Sequence, residues 1–501
     1  MKKKNILFLF PDQHRGDWLP YGDDAFAGLG MEPLPLRMPH LRELMDRGTT
    51  FTHAATNSPL CVPARACLAS GMHYNHCGAF NNRFCYPMEQ KTFYSVLKDG
   101  GYQVGGIGKF DLHKPILYWD KSGWIEQLGR LGFSRAVDSE GKYDTLWASY
   151  YEPNGPYGKF LHDQGLMEDY CKDYIKRYYN TNDSSAVDIP EFAYSDNWVT
   201  NNALGMLREL TKKEAPWFLM VNFSGPHDPW DVTVEMKERW RDVQFPIPPD
   251  YSGDREELNG VRQNYAAMLE NIDRNIGLLI EELKRSGQYD DTIIIYASDH
   301  GEMMGDRSRY FKCVPYHGAV HVPLVISGPG VRQGIIRDEL VQLHDLAATI
   351  TDFAGLSMPA GTDAKSLMPL ATSAVAEPIR DFQAVMLCNG IQNTKTCYDG
   401  YEEYLSYQKK MADFEYIAEF NKEFHVPESR NSSTKMKTQK NWASIITKEY
   451  KLIEYLDGTA SELYDLRSDP GEHHNLAEER PEVVETLRHL YDFTLPDSIM
   501  E

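Results

Sequence analysis

Residues 5–13 read NILFLFPDQ, a short apolar run that stops at Asp12 and Gln13. Such a run suits a strand covered on both faces, as in a parallel sheet, which leaves its terminal polar residues beyond the sheet's carboxyl edge. Three more runs follow the same plan, and a further run is preceded by its candidate residue. Residues 102–107 lead into GKFDLH (108–113), 217–223 (WFLMVNF) into SGPHDP (224–229), and 292–297 (TIIIYA) into SDHG (298–301), while 322–327 is preceded by Lys312. Helical patterns intervene, the longest at about 264–286. Ligands of open α/β sheets bind beyond the carboxyl ends of the strands, so Asp12, Lys109, His227, Asp299 and His300 are expected to converge from distant parts of the chain.

The chain has 501 residues, more than one hydrophobic core usually serves, so two domains are expected. The first, 1–375, should be α/β, a mostly parallel central sheet flanked by helices. The second, 376–501, reads SIITKEYKLIEY, then ELYDLRSDPGEHHNL, then a helix near 482–491. That order predicts a small α+β unit with an antiparallel sheet, completing the substrate cleft. Residues 114–200 and 389–440 are rich in Tyr, Asp, Gly and Asn with weak periodicity, and are expected to be loops and short helices at the cleft rim.

A formal charge of −21 argues against nucleic acid or an anionic membrane surface as the main partner. No run of 18 apolar residues predicts a membrane span. The basic start MKKK precedes too short an apolar run for a signal peptide; as it stands the chain is expected to be cytoplasmic, or periplasmic or secreted if a leader has been removed. Eight cysteines lack zinc-type spacing and do not suggest a disulfide framework.

Residues 58–71, SPLCVPARACLASG, carry the most chemistry. Pro63 suits a helix start and Gly71 a helix exit, which puts Cys61 at a helix N-terminus with Arg65 one turn in. Exposed N–H groups and the helix dipole favour an anion there. Asp12 and Asp299 are hard oxygen ligands and His300 could assist, a set that suits Ca²⁺, Mg²⁺ or Mn²⁺ better than zinc. A cation beside Cys61 could polarise an oxyanion ester; Arg65, Lys109 and Lys312 could offset its charge, and His227 could protonate a leaving alcohol.

These motifs together resemble the type I, formylglycine-dependent sulfatases of the alkaline-phosphatase-like superfamily. NILFLFPDQ, CVPARACLASG, GGIGK, SGPHDP, YASDHGEMMGD, HVPLVISGPG, QLHDLAATITDFAGL, YKLIEY and ELYDLRSDPGEHHNLA stand in the family's order. The resemblance implies an alkaline-phosphatase-like catalytic domain. It also implies that Cys61 is oxidised to formylglycine by a formylglycine-generating or anaerobic sulfatase-maturating enzyme, and that the hydrate attacks sulfur. One divalent ion, Ca²⁺ before Mn²⁺ or Mg²⁺, would be held by Asp12, Gln13, residue 61, Asp299 and His300. Arg65 would orient the nucleophile, Lys109 and Lys312 would hold sulfate, His227 would be the acid, and Asn82 would lie near the ester oxygens. The family's common Gly-Lys-x-His is Gly-Lys-Phe-Asp at 108–111, which leaves Asp111 or His113 to assist sulfate release. The implied reaction is removal of sulfate from a sulfated saccharide. Alternatives are a phosphonate monoester or phosphodiester hydrolase, hinted at by Gln13, His300 and Asn82, and an inactive sulfatase-like binding protein.

Overall fold

In the computed structural model, residues 3–28, 32–116, 118–150, 152–390 and 441–495 are described. Eight strands build the central sheet: β1 (Asn5–Asp12), β2 (Gly48–Phe51), β3 (Gln103–Gly108), β4 (Arg135–Asp138), β5 (Trp217–Pro226), β6 (Thr292–Ala297), β7 (Leu324–Ser327) and β8 (Ile335–Arg337). Their order across the sheet is β8-β2-β7-β6-β1-β5-β3-β4. From β6 to β4 every pairing is parallel. By contrast β7 runs antiparallel to both neighbours. Its beginning therefore lies at the edge where β1 and β6 end, which explains why Lys312 precedes its strand whereas Asp12 and Asp299 follow theirs.

Alternation along β1 builds two cores. Leu7 and Leu9 face one apolar cluster and Ile6, Phe8 and Phe10 the other, all fully buried. Each such side chain contributes roughly 1.5–3 kcal/mol of burial. The first cluster is covered by helices Pro39–Asp46, Ser195–Leu210 and Arg255–Arg285, the second by Cys61–Ser70, Phe93–Asp99 and Asp345–Phe353. The long helix begins at Arg255, earlier than its apolar pattern suggests. Asp254 accepts from the N–H groups of Glu256 and Glu257 at 2.8 and 3.2 Å, and the acidic first turn complements the dipole.

The segment 114–200 holds short helices as expected, but part of it packs into the core and not at the rim. It contains helices Lys142–Ser149, Pro156–Asp163, Met167–Tyr179 and Ser195–Leu210, and Tyr157, Leu161, Tyr170 and Tyr174 enter the same core as Leu7. Tyrosine does the packing because each hydroxyl finds an acceptor: Tyr157 donates to the Ala193 carbonyl at 2.8 Å and Tyr170 to that of Lys142 at 2.7 Å. Of the other expected rim segment, residues 391–440 lie outside the described residues.

A separate four-stranded antiparallel sheet follows, β9 (Gln383–Leu387), β10 (Trp442–Ile446), β11 (Tyr450–Tyr455) and β12 (Glu462–Asp465), with helix Pro481–Arg488. Val385, Leu387 and Trp442 pack with Ala55, Leu60 and Cys313 in one apolar cluster. The cysteines among the described residues are buried. No helix among the described residues is long and apolar enough to cross a membrane.

Candidate active site

The helix Cys61–Ser70 starts at the cysteine itself, so Pro63 is its third residue, still within the turn whose N–H groups have no intrahelical partner. At the far end Gly71 adopts φ 70° and its N–H closes on the Cys67 carbonyl at 2.9 Å. Leu60 at the N-cap has no side-chain acceptor. Asn82 supplies one, its Oδ1 accepting from the Val62 N–H at 3.2 Å.

The ends of β1 and β6 bring carboxylates to this helix mouth. Asp12 Oδ1 lies 4.0 Å from Cys61 Sγ, and His300 Nε2 lies 3.4 Å from it. One ligand atom from each of Asp12, Cys61, Asp299 and His300 falls within 4.8 Å of all the others, a span one cation's ligand shell can bridge. Arg65 ties the cluster together. Its Nε donates to Asp299 Oδ2 at 2.9 Å, its Nη2 to Asp12 Oδ2 at 3.1 Å, and its Nη1 to the Lys109 carbonyl. Lys109 reaches Asp12 Oδ2 at 2.5 Å and Cys61 Sγ at 3.7 Å. It arrives there because β3 ends at Gly108, whose φ is 96° and where a Cβ would stand 1.9 Å from the Asn222 carbonyl oxygen. Only glycine permits that approach.

On the other side Lys312 Nζ lies 3.4 Å from Cys61 Sγ, 2.6 Å from Gln13 Oε1 and 2.6 Å from His227 Nε2. The His227 Nδ1 meets the Asp228 carbonyl at 2.5 Å, so Nδ1 carries the proton and Nε2 accepts from the lysine.

Burial would raise the Asp12 carboxyl, but Lys109, with His227, Lys312 and Arg65, outweighs it and holds Asp12 well below the usual carboxylate range. Burial, seconded by Asp12, pushes the Cys61 thiol up against the opposing pull of Lys109 and Lys312. A thiolate is therefore not favoured at residue 61. Burial also pushes His300 down to about 4, despite Asp299.

The donor set fits a cation. His300 Nδ1 faces the Gly301 carbonyl at 3.1 Å and so carries the proton, which leaves Nε2 with a lone pair and with Cys61 Sγ at 3.4 Å, Asp299 Oδ2 at 3.6 Å and Asp12 Oδ1 at 3.8 Å around it. One nitrogen lone pair and two carboxylate oxygens gathered this closely form a set of donors that positive charge would stabilise. Two carboxylates with the Gln13 amide oxygen nearby are the hard oxygen donors that Ca²⁺ or Mg²⁺ takes, and the neutral His300 imidazole adds a softer nitrogen donor beside them.

The structure thus brings together Asp12, Gln13, Cys61, Arg65, Lys109, His227, Asp299, His300 and Lys312, with Asn82 on the helix mouth. It does not bring in His113. That ring is fully buried, with Nδ1 3.3 Å from Asp138 Oδ2 and Nε2 3.1 Å from the Tyr118 carbonyl. The chain turns at Asp111, whose φ is 54°, and carries His113 away while leaving Asp111 3.3 Å from Lys109 Nζ. Four participants escaped the sequence reading. Asn222 accepts from Arg65 at 3.4 Å, Ser298 donates to the Pro11 carbonyl at 2.9 Å, and Glu302 and Asp228 flank Gln13 at 2.5 and 3.3 Å. Asp228 and Glu302 stood within the quoted SGPHDP and SDHGE segments. The usable signal was a second carboxylate one or two residues beyond a candidate histidine.

A family model described as Sulfatase matches residues 4–356. An arylsulfatase of Clostridium perfringens is 26% identical over 400 residues, covering 74% of this chain and 78% of its own. Two solved structures share the fold. One, a protein in complex with its substrate D-glucosamine-2-N,6-O-disulfate, has TM-score 0.69 at 18% identity, over 98% of this chain and 97% of its own. The other, a phosphonate monoester hydrolase from Silicibacter pomeroyi, has TM-score 0.72 at 22% identity, over 97% and 94%.

Proposed function

The chain belongs to the sulfatase family and is a sulfuric ester hydrolase, and on that premise we propose that its substrate is a sulfated saccharide whose ester is cleaved at Cys61. The observation that carries the reading is the convergence of His300, Lys312 and Lys109 on Cys61 Sγ at 3.4–3.7 Å, above a carboxylate pair. Asp12, Gln13, Asp299 and His300 would hold one divalent ion, Ca²⁺ before Mn²⁺ or Mg²⁺, which supplies a Lewis acid for the ester oxygens. Cys61 would be matured to formylglycine, whose hydrate supplies the oxygen nucleophile; the maturating enzyme is the implied partner.

The remaining work falls to side chains as they stand. Arg65 orients both carboxylates with one planar guanidinium. Lys109 and Lys312 compensate the non-bridging oxygens. His227 and Lys312 share the proton that a leaving alcohol takes up. Asn82 would meet the ester oxygens, and Asp111, against Lys109, takes the place that His113 leaves. A catalytic domain over 1–375, with 376–501 completing the cleft, belongs to the same proposal.

The mouth supports a saccharide. Lys114 and Asp144 pair at 2.6 Å beside Lys109, the Gly141 backbone packs on the Lys109 stem, and the helix that carries Asp144 also carries half-buried Tyr143 and Trp147, whose rings stand edge-on to Tyr178 at 5.8 and 5.2 Å. An ion pair for hydroxyls beside aromatic faces is the chemistry a sugar uses. The phosphonate monoester or phosphodiester reading is favoured by Gln13, His300 and Asn82 together. One matured preparation, its Cys61 peptide about 18 Da lighter than the cysteine form, should be assayed on a panel of monosaccharide sulfates, an aryl sulfate, an aryl phosphonate monoester and a phosphodiester. The expected result is the largest kcat/KM on a saccharide sulfate; a larger value on the phosphonate overturns the proposal.

A further inference from the structure

We propose that Glu302 and Asp228 are positioning residues that fix the Gln13 amide with its oxygen toward the cation site, and that this orientation is a determinant of cation affinity. The inference rests on the cation reading given above and goes beyond it to residues that touch neither cation nor substrate.

Gln13 is held at both ends. Its backbone, at φ 68°, donates to Asp299 Oδ1 at 3.0 Å and accepts from the Tyr265 hydroxyl at 2.7 Å. Its side chain is wholly buried, with one amide atom 2.5 Å from Glu302 Oε2 and 3.3 Å from Asp228 Oδ1, and the other 2.6 Å from Lys312 Nζ. Two carboxylate oxygens on one side and an ammonium on the other leave a single consistent assignment: NH₂ faces the acids and the carbonyl oxygen faces Lys312, whose Nζ also reaches Cys61 Sγ at 3.4 Å. The reverse orientation would put a carbonyl against two carboxylates and an NH₂ against an ammonium.

Glu302 cannot swing aside. Its Oε1 accepts from the N–H groups of Met304 at 3.1 Å and Phe311 at 2.5 Å, so Oε2 is the oxygen left for Gln13. These bonds also fix the outcome of an isosteric change. In Glu302→Gln the introduced amide must keep its oxygen on those two N–H donors and turn its NH₂ toward Gln13. The Gln13 amide then has to turn over and present NH₂ to Lys312 and the cation site. Combining Gln13→Glu with Glu302→Gln repairs the polarity at the shorter contact, because the introduced carboxylate accepts from the introduced amide and still offers an oxygen toward Lys312, and only the longer contact with Asp228 is left unmatched.

The test is Ca²⁺ titration by calorimetry on chelator-stripped protein, with thermal melts recorded with and without Ca²⁺. Replacing a group that orients a metal ligand typically costs 10–100-fold in affinity. Glu302→Gln is therefore expected to weaken Ca²⁺ binding by at least about tenfold, and the double variant to return within about threefold of the unaltered chain. Unchanged binding in Glu302→Gln, or a double variant as weak as the single one, overturns the inference. Failure of the unaltered chain to bind Ca²⁺, Mn²⁺ or Mg²⁺ at all would remove the cation reading and this inference with it, a result distinct from the other two.

Discussion

The base of the site and its mouth are made from the same strand ends, yet they differ in their access to water. Asp12, Asp299, His300, Arg65 and Lys109 are sealed, whereas at the mouth the side chains of Lys114 and Asp144 keep 16% and 14% of their surface. In the sealed base a fixed charge acts at low effective dielectric and needs no reorganisation, so the chemistry belongs there. In the mouth water competes for every hydrogen bond, and a side chain can discriminate between alcohols without carrying the reaction.

The contrast breaks most easily at its deepest point. Asp12→Ala removes an oxygen ligand and the partner of both Arg65 and Lys109; turnover of any sulfate ester should fall on the order of 10⁴-fold with cation binding lost. Activity within tenfold of the unaltered enzyme would mean that the base is not the reacting centre. Next comes Arg65→Lys, expected to lower kcat by roughly 10²–10³-fold, because one ammonium cannot span the four acceptors that the guanidinium joins.

A third measurement uses pH. Burial pushes His14, His113 and His321 each down to about 4, so the native state excludes protons that the unfolded chain binds below about 6.5. The unfolded state therefore gains, and stability present in full above that pH is lost as pH falls toward 4, by about 1.4 kcal/mol per pH unit for each histidine. Denaturant midpoints between pH 7 and 5 should show the fall, and a flat profile would contradict the neutral assignment.

The smallest effect sharpens the mouth. Asp144→Ala should lower kcat/KM on the best saccharide sulfate by about tenfold, the scale of one hydrogen bond to substrate, while an aryl sulfate changes less than about twofold. Equal losses on both substrates would assign Asp144 to the base.

How much of this stood in the sequence depends on the kind of residue. The strands were legible because each is buried on both faces and so reads as an unbroken apolar run, and the site followed because Asp12, Lys109, His227 and Asp299 come right after those runs. Lys312 was legible only as a residue ahead of a strand, since nothing local marks β7 as antiparallel. The tyrosine-rich helices of 114–200 were placed at the rim and not in the core because tyrosine counts as half polar until its hydroxyl is seen to find a carbonyl. Asp111 and His113 could not be separated without the left-handed turn between Lys109 and Lys114. Glu302 was invisible as a partner of Gln13, which stands 289 positions away.

The late antiparallel sheet bears on inheritance. Trp442 Nε1 donates to the Cys313 carbonyl at 3.2 Å, and Val385, Leu387 and Trp442 back the residues next to Lys312 and Cys61. A stop codon arising between residues 388 and 441 would leave every reacting side chain and β9 translated but remove Trp442 and the three strands that pair beyond β9. Nonsense alleles late in the reading frame should therefore behave as nulls and not as shortened working enzymes.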